Sequence, residues 1–173
     1  MPRGEATRTR LKLTIISGGQ TGVDRGALDA ALAAGVACRG WCPAGRLAED
    51  GPLPDRYPLT ELAHGGYPER TLKNIQDSDG TVILHFGRLE GGTLLTASHC
   101  AESGKPHRLI DLSATPLSLA VGAILRFIVE SRITALNVPG PRASEEPRAY
   151  DTARQVIGSV LRSLTSADSR TGQ

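Results

Sequence analysis

The apolar run Leu13-Thr14-Ile15-Ile16 leads directly into Ser17-Gly18-Gly19-Gln20-Thr21-Gly22-Val23-Asp24-Arg25. Further on, Thr81-Val82-Ile83-Leu84 leads to Gly87-Arg88-Leu89-Glu90-Gly91-Gly92-Thr93. In both places a strand-like stretch gives way to a turn with little side-chain bulk and then to helical periodicity. The same alternation runs through the chain. Strands are predicted over 12–17, 36–41, 81–86, 108–111 and 133–138. Helices are predicted over 22–34, 68–77, 93–103, 115–132 and 147–164, and residues 42–66 form an irregular, proline-rich excursion. Near-continuous apolar strands are covered on both faces, so the chain reads as α/β with a doubly wound, mostly parallel sheet of five or slightly more strands and helices on both sides. Taking the five strands in chain order, the preferred sheet order is 2-1-3-4-5, which puts both glycine turns over one crevice at the carboxyl ends of neighbouring strands. One domain is expected over 12–164, with flexible tails over 1–11 and 165–173.

Composition narrows the function. Aromatic residues make up only 3% of the chain, so Leu, Ile, Val and Ala must fill the core, and few rings are left to stack on bases. A formal net charge of +2, with no long basic run, argues against a nucleic-acid binder. Cys38, Cys42 and Cys100 answer neither a disulfide framework nor a zinc pattern. The four histidines are scattered, and His85 falls within a strand, so no metal site is expected. Leu11 to Ile16 is too short for a secretory apolar region and contains Lys12. The longest apolar stretch, 117–129, is too short to span a bilayer and contains Arg126. A cytoplasmic protein that engages no membrane is expected.

The two turns suggest anion chemistry. Backbone N–H groups at a bare strand-to-helix turn converge on negative charge, and the following helix adds the positive end of its dipole. The first turn is not a P-loop, because no Lys-Ser/Thr pair follows Gly22. Nor is it the dinucleotide fingerprint, because its spacing is G-G-x-x-G. The candidate ligand residues are Gly18, Gly19, Gln20, Thr21, Gly22, Asp24, Arg25, Asn74, Gly91, Gly92, Thr93 and Arg142. Asp24 has two possible uses: a favourable charge at a helix N-terminus, or a carboxylate at the mouth of the site. Arg25 can pair with a phosphate or stand in solvent. Glu49 and Asp50 can meet a ligand if the excursion folds over the crevice. Arg70 and Asn74 lie one turn apart on a helix, with Asp77 as a competing partner. Arg142 follows Pro139-Gly140-Pro141 at the carboxyl edge, where its fork of donors suits an oxyanion.

The run from Ser17 through Asp29 resembles the opening signature of the putative molybdenum carrier family, a circularly permuted relative of the YpsA-like proteins. That family lies in the Rossmann-like superfamily with the lysine-decarboxylase-like, "lonely guy" and DprA proteins. The likeness continues through Gly40-Trp41-Cys42-Pro43, Ala48-Glu49-Asp50-Gly51-Pro52, Arg56-Tyr57-Pro58-Leu59-Thr60-Glu61, Arg70-Thr71 with Asn74, and Asp77-Ser78-Asp79-Gly80-Thr81. It extends over Gly91-Gly92-Thr93, Gly104-Lys105-Pro106 and Asn137-Val138-Pro139-Gly140-Pro141-Arg142. The resemblance implies a Rossmann-like sheet, a homo-oligomer (a dimer in the first instance) and a nucleotide-like or pterin-phosphate ligand. Nucleotide-hydrolysing relatives carry P-G-G-x-G-T-x-x-E, whose Glu assists glycosidic cleavage. Thr96 stands at that position here and cannot act as an acid or base at neutral pH.

The leading expectation is a binding protein for a phosphate-bearing small molecule, molybdenum cofactor or a nucleotide derivative, with no bound metal ion of its own. The alternative is a nucleotide-processing enzyme such as a phosphoribohydrolase, with Asp24 or Asp50 as candidate catalytic carboxylates. A third reading is a nucleotide-ligand sensor.

Overall fold

The structure is a computed structural model that describes residues 12–169, with side chains through residue 166. The segments 1–11 and 170–173, which belong to the two expected tails, lie outside the described residues. The strands are β1 (Thr14–Ile16), β2 (Cys38–Arg39), β3 (Trp41–Cys42), β4 (Leu47–Ala48), β5 (Gly51–Pro52), β6 (Thr60–Glu61), β7 (Gly80–His85), β8 (His107–Asp111) and β9 (Ala135–Asn137). The helices are α1 (Val23–Ala33), α2 (Tyr67–Gln76), α3 (Gly91–Ser103), α4 (Leu117–Glu130) and α5 (Ala149–Ser169). The last helix therefore continues to Ser169, beyond the expected end near residue 164.

Five strands form a parallel sheet in the order β2-β1-β9-β7-β8. This corrects the expected order. The last strand does not sit at an edge: β9 pairs with β1 through Ile15 and Leu136 and with β7 through Thr81 and Asn137. The chain lays β1 and β2 to one side, leaves a gap, lays β7 and β8 beyond it, and returns to fill the gap. Three strand ends, those of β1, β9 and β7, therefore meet at the centre of the carboxyl edge.

The period of two along each strand divides the core. Ile15, Val82, Leu84, Ile110 and Leu136 face one side and pack with α1, α4 and α5, where Ala27, Ile124, Ile128, Ile157 and Val160 are buried. Ile83 faces the other side and packs with Ile75 of α2 and Cys100 of α3. The excursion has its own core of Cys42, Ala48, Leu53, Tyr57 and Leu59 against Leu28 of α1. The expected second strand divides into β2, in the main sheet, and β3, which leaves it to pair with β6. All three cysteines are free thiols. Among the described residues no helix is long and apolar enough to cross a membrane.

Candidate functional site

A cleft of about 250 Å³ opens at the carboxyl edge, where the three strand ends meet. Gly18, Gln20 and Asp24 enter it from the turn after β1, and Pro139, Gly140 and Arg142 from the segment after β9. Gly92 and Thr93 enter it from the first turn of α3, and Tyr67 and Arg70 from α2. Both glycine-rich turns thus reach one hollow, with β9 inserted between their strands.

The second turn supplies the clearest donors. Gly91 and Gly92, expected to precede the helix, are its first residues. The first intrahelical acceptor is Glu90, which takes the Leu94 N–H at 3.1 Å. The N–H groups of Gly91, Gly92 and Thr93 have no acceptor among the described residues, as a helix N-terminus dictates. The Thr93 side chain is also without a protein partner, although the residue is only 8% exposed. The turn before the helix is anchored by Asp111, which accepts from Gly87 N at 2.9 Å and from Ser113 Oγ at 2.7 Å. The Gly87 and Ser113 bonds hold the Asp111 carboxyl down at about 2. A depressed carboxylate stabilises the fold fully above its unfolded value of about 3.9 and loses that effect as pH falls through its folded value. Acid titration should therefore loosen the turn before α3 as pH falls toward 2, and Asp111→Asn should remove this step from the hydrogen-exchange profile of Gly87.

The first turn is divided between two duties. Asp24, 5% exposed, accepts from Arg70 Nη1 at 2.7 Å and from Gln20 N at 3.2 Å. Arg70 lies directly over Gly18, so close that a Cβ there would stand 1.6 Å from Nη1. The Gln20 carboxamide oxygen accepts from Thr21 N and Glu49 N, both at 2.9 Å, while its Nε2 is buried without a partner. The Gly18 amide has no acceptor among the described residues.

Six expected ligand residues lie outside this cleft or have their polar groups engaged within the protein. Gly19 faces the excursion, where an added Cβ would stand 2.5 Å from Leu59 and 3.0 Å from Leu53. Thr21 donates its hydroxyl to Glu49 and accepts from Ala143 N at 3.1 Å. Gly22 and Arg25 line a separate depression beside Asp29, Tyr57 and Tyr150. Arg25 is held in a two-pronged pair with Asp50, at 2.5 and 2.7 Å, which raises the guanidinium pKa and lowers that of Asp50. Asp50 is therefore spent on the excursion and not offered to the cleft. Burial would raise Glu49, but bonds from Ser144 and Thr21 hold it below the usual carboxylate range. Asn74 lines the cleft, yet its carboxamide is committed: Oδ1 accepts from Trp41 N at 2.8 Å and Nδ2 donates to Trp41 O at 3.1 Å. It acts as a strand partner for β3. Gly91 belongs to an adjoining cleft of about 280 Å³ that shares Thr93 and Glu145 with the first.

Tyr67, Glu145 and Asn137 join the site without having been expected. The guanidinium carbons of Arg70 and Arg142 lie 5.6 and 5.3 Å from the Tyr67 ring centroid. Arg142 also stands 3.4 Å from Glu145, with both side chains partly exposed. Arg70 was legible on the helix face it shares with Asn74; Glu145 carried no sequence signal. Thr96, at the position of the relatives' catalytic Glu, donates to Gly92 O at 2.8 Å and is buried.

Backbone amides, one free hydroxyl and a guanidinium form a donor set for an oxyanion. They are not a ligand set for a bare metal ion, and no cluster of three metal-binding side chains occurs among the described residues.

A model of the Circularly permutated YpsA SLOG family matches residues 15–161. A crystal structure of a protein from Syntrophus aciditrophicus SB, named Putative molybdenum carrier protein, superposes with a TM-score of 0.84. The two sequences are 41% identical over 87% of this chain and 95% of that one. No curated protein matches the chain. With the doubly wound sheet in place and the family match running nearly its full length, the chain belongs to the circularly permuted YpsA SLOG family.

Proposed function

We propose that the protein binds a small phosphate-bearing or oxyanionic molecule at the carboxyl edge of its sheet, and that it is a binder and not a catalyst. The observation that carries this reading is the first turn of α3, where free amides and the unpartnered Thr93 hydroxyl meet the Gly18 backbone and Arg142 at one cleft. A helix N-terminus with guanidinium support suits a phosphate. The donor set fits the phosphate of molybdenum cofactor or of a nucleotide, and the name of the Syntrophus relative favours the first. Gly18, Gly92, Thr93 and Arg142 would hold that group. The cofactor, when bound, would bring its own metal chemistry, and the chain would contribute anchoring and exclusion of solvent.

Binding is favoured over turnover by how the carboxylates are used. Asp24 is locked to Arg70, Asp50 to Arg25, and Glu49 to Thr21 and Ser144. None of these three is left at the cleft as a free general acid, and the carboxylate that does line it, Glu145, stands opposite the Arg142 guanidinium at 3.4 Å.

Gly92→Val tests the reading. A Cβ at Gly92 meets nothing within 4 Å, so the fold should tolerate it, while the added branches would cover the amides. Calorimetric titration with orthophosphate and nucleoside monophosphates should show at least a roughly tenfold loss of affinity, the scale of one charge-assisted hydrogen bond. Unchanged affinity in a folded variant would reject the site. Gly19→Val is not an equivalent control: Gly19 has φ +80°, and a Cβ would stand 2.5 Å from Leu59. That variant should destabilise the fold.

A further inference from the structure

The two arginine–carboxylate pairs at Tyr67 differ in kind. Asp24 and Arg70 are 2.7 Å apart, with side chains only 7% and 11% exposed. Glu145 and Arg142 are 3.4 Å apart, with side chains 45% and 32% exposed. The first pair is part of the core of the site; the second is loose and wet. The position of Glu145 is the telling feature. Its Oε1 lies 3.7 Å from where a Cβ on Gly91 would stand, so the carboxylate rests at the N-terminal end of α3. Its Oε2 accepts a long bond, 3.4 Å, from Arg142 N. Glu145 lines both adjoining clefts and stands between them.

We infer that Glu145 is an internal competitor for the anion: its carboxylate covers Arg142 and the start of α3 until a ligand oxyanion displaces it, and so it sets the affinity and selectivity of the cleft. This deepens the binding reading above and rests on it. The helix dipole and the arginine both favour a negative group at that place. The chain's own negative group satisfies them weakly, through long contacts with partly exposed partners. Two polar side-chain groups in the same cleft are left for a ligand to satisfy. The Thr93 hydroxyl has no partner among the described residues, and Gln20 Nε2 is buried without one. Glu145 relieves neither. A doubly charged tetrahedral oxyanion can bond to several donors at once and repels a neighbouring carboxylate, so it both replaces and expels Glu145. A carboxylate monoanion of the same reach gains less.

The test compares the full-length wild type with Glu145→Gln and Glu145→Ala, titrated calorimetrically with orthophosphate and with molybdate at low and high salt. Gln keeps the bulk and removes the charge. Both variants should bind each oxyanion about tenfold or more tightly than the wild type at low salt, and the gain should shrink as salt screens the repulsion. A gain in the alanine variant alone would mean that bulk and not charge is at work, and would overturn the inference. So would equal or weaker binding by both variants alongside measurable binding by the wild type. Binding of neither oxyanion to any of the three proteins would bring down the ligand-binding reading together with this one.

Discussion

Replacing Arg70 with alanine is expected to destabilise the protein by about 3–5 kcal/mol, the cost of leaving one member of a buried ion pair alone. Asp24 is 5% exposed, and its other hydrogen bond comes from the Gln20 amide at 3.2 Å. Without the guanidinium it keeps its burial and loses its counter-charge. The pair also fixes geometry. It spans 46 residues of sequence and ties α2 to the turn after β1, with the arginine laid over Gly18. Urea unfolding should show the loss as a lower midpoint at unchanged slope. Combining Asp24→Leu with Arg70→Leu should recover much of it, because an apolar pair of similar volume removes both desolvation penalties. If the single alanine variant lost less than about 1 kcal/mol, Arg70 would be a surface residue in all but appearance.

Gly140→Ala should have the second large effect, on stability and on binding together. The segment after β9 is wedged between the two halves of the site, and a Cβ at Gly140 would stand 2.5 Å from Leu84 O and 2.5 Å from Val23 Cγ2. One of those neighbours is backbone and cannot rotate away. Its carbonyl belongs to β7, whose Leu84 N donates to Pro139 O at 3.0 Å. The methyl must therefore push β9's exit away from β7 or from the start of α1. Overpacking of this kind costs about 1–3 kcal/mol, and more where the neighbour is rigid. The same displacement moves Arg142 relative to Thr93, so oxyanion affinity should fall even in the folded fraction. Thermal unfolding and calorimetry on one preparation would check both. Wild-type affinity in a destabilised variant would show that the two halves of the cleft are independent.

The elements were legible because their signals are local. The apolar run 81–84, the glycines after it and the periodicity of 93–103 lie within one stretch of chain, and β7 and α3 form there. The strand order was not legible. Nothing within 133–138 distinguishes an edge strand from one inserted between β1 and β7; that depends on pairings with residues more than 50 positions away. The site divides along the same line. That Gly18, Gly92 and Thr93 reach the cleft follows from turn chemistry, and that Arg142 reaches it follows from its place after a strand end. Asn74 lines the cleft with its carboxamide bonded to Trp41; a carboxamide that mimics a strand partner looks the same in sequence as one that meets a ligand. Thr21, Arg25 and Asp50 have the right residue types for a phosphate site, but the excursion returns to claim them. That return depends on its small core around Tyr57 and Leu59, which no short motif reports.

Tungstate is the most direct probe of the central claim, because its anomalous scattering identifies the ion without ambiguity. Crystals of the wild-type protein soaked in tungstate should show one strong peak between the first-turn amides of α3, the Thr93 hydroxyl and the Arg142 guanidinium, with Glu145 turned away. A peak only at other surfaces, or an α3 N-terminus still covered by Glu145 at saturating tungstate, would contradict the account.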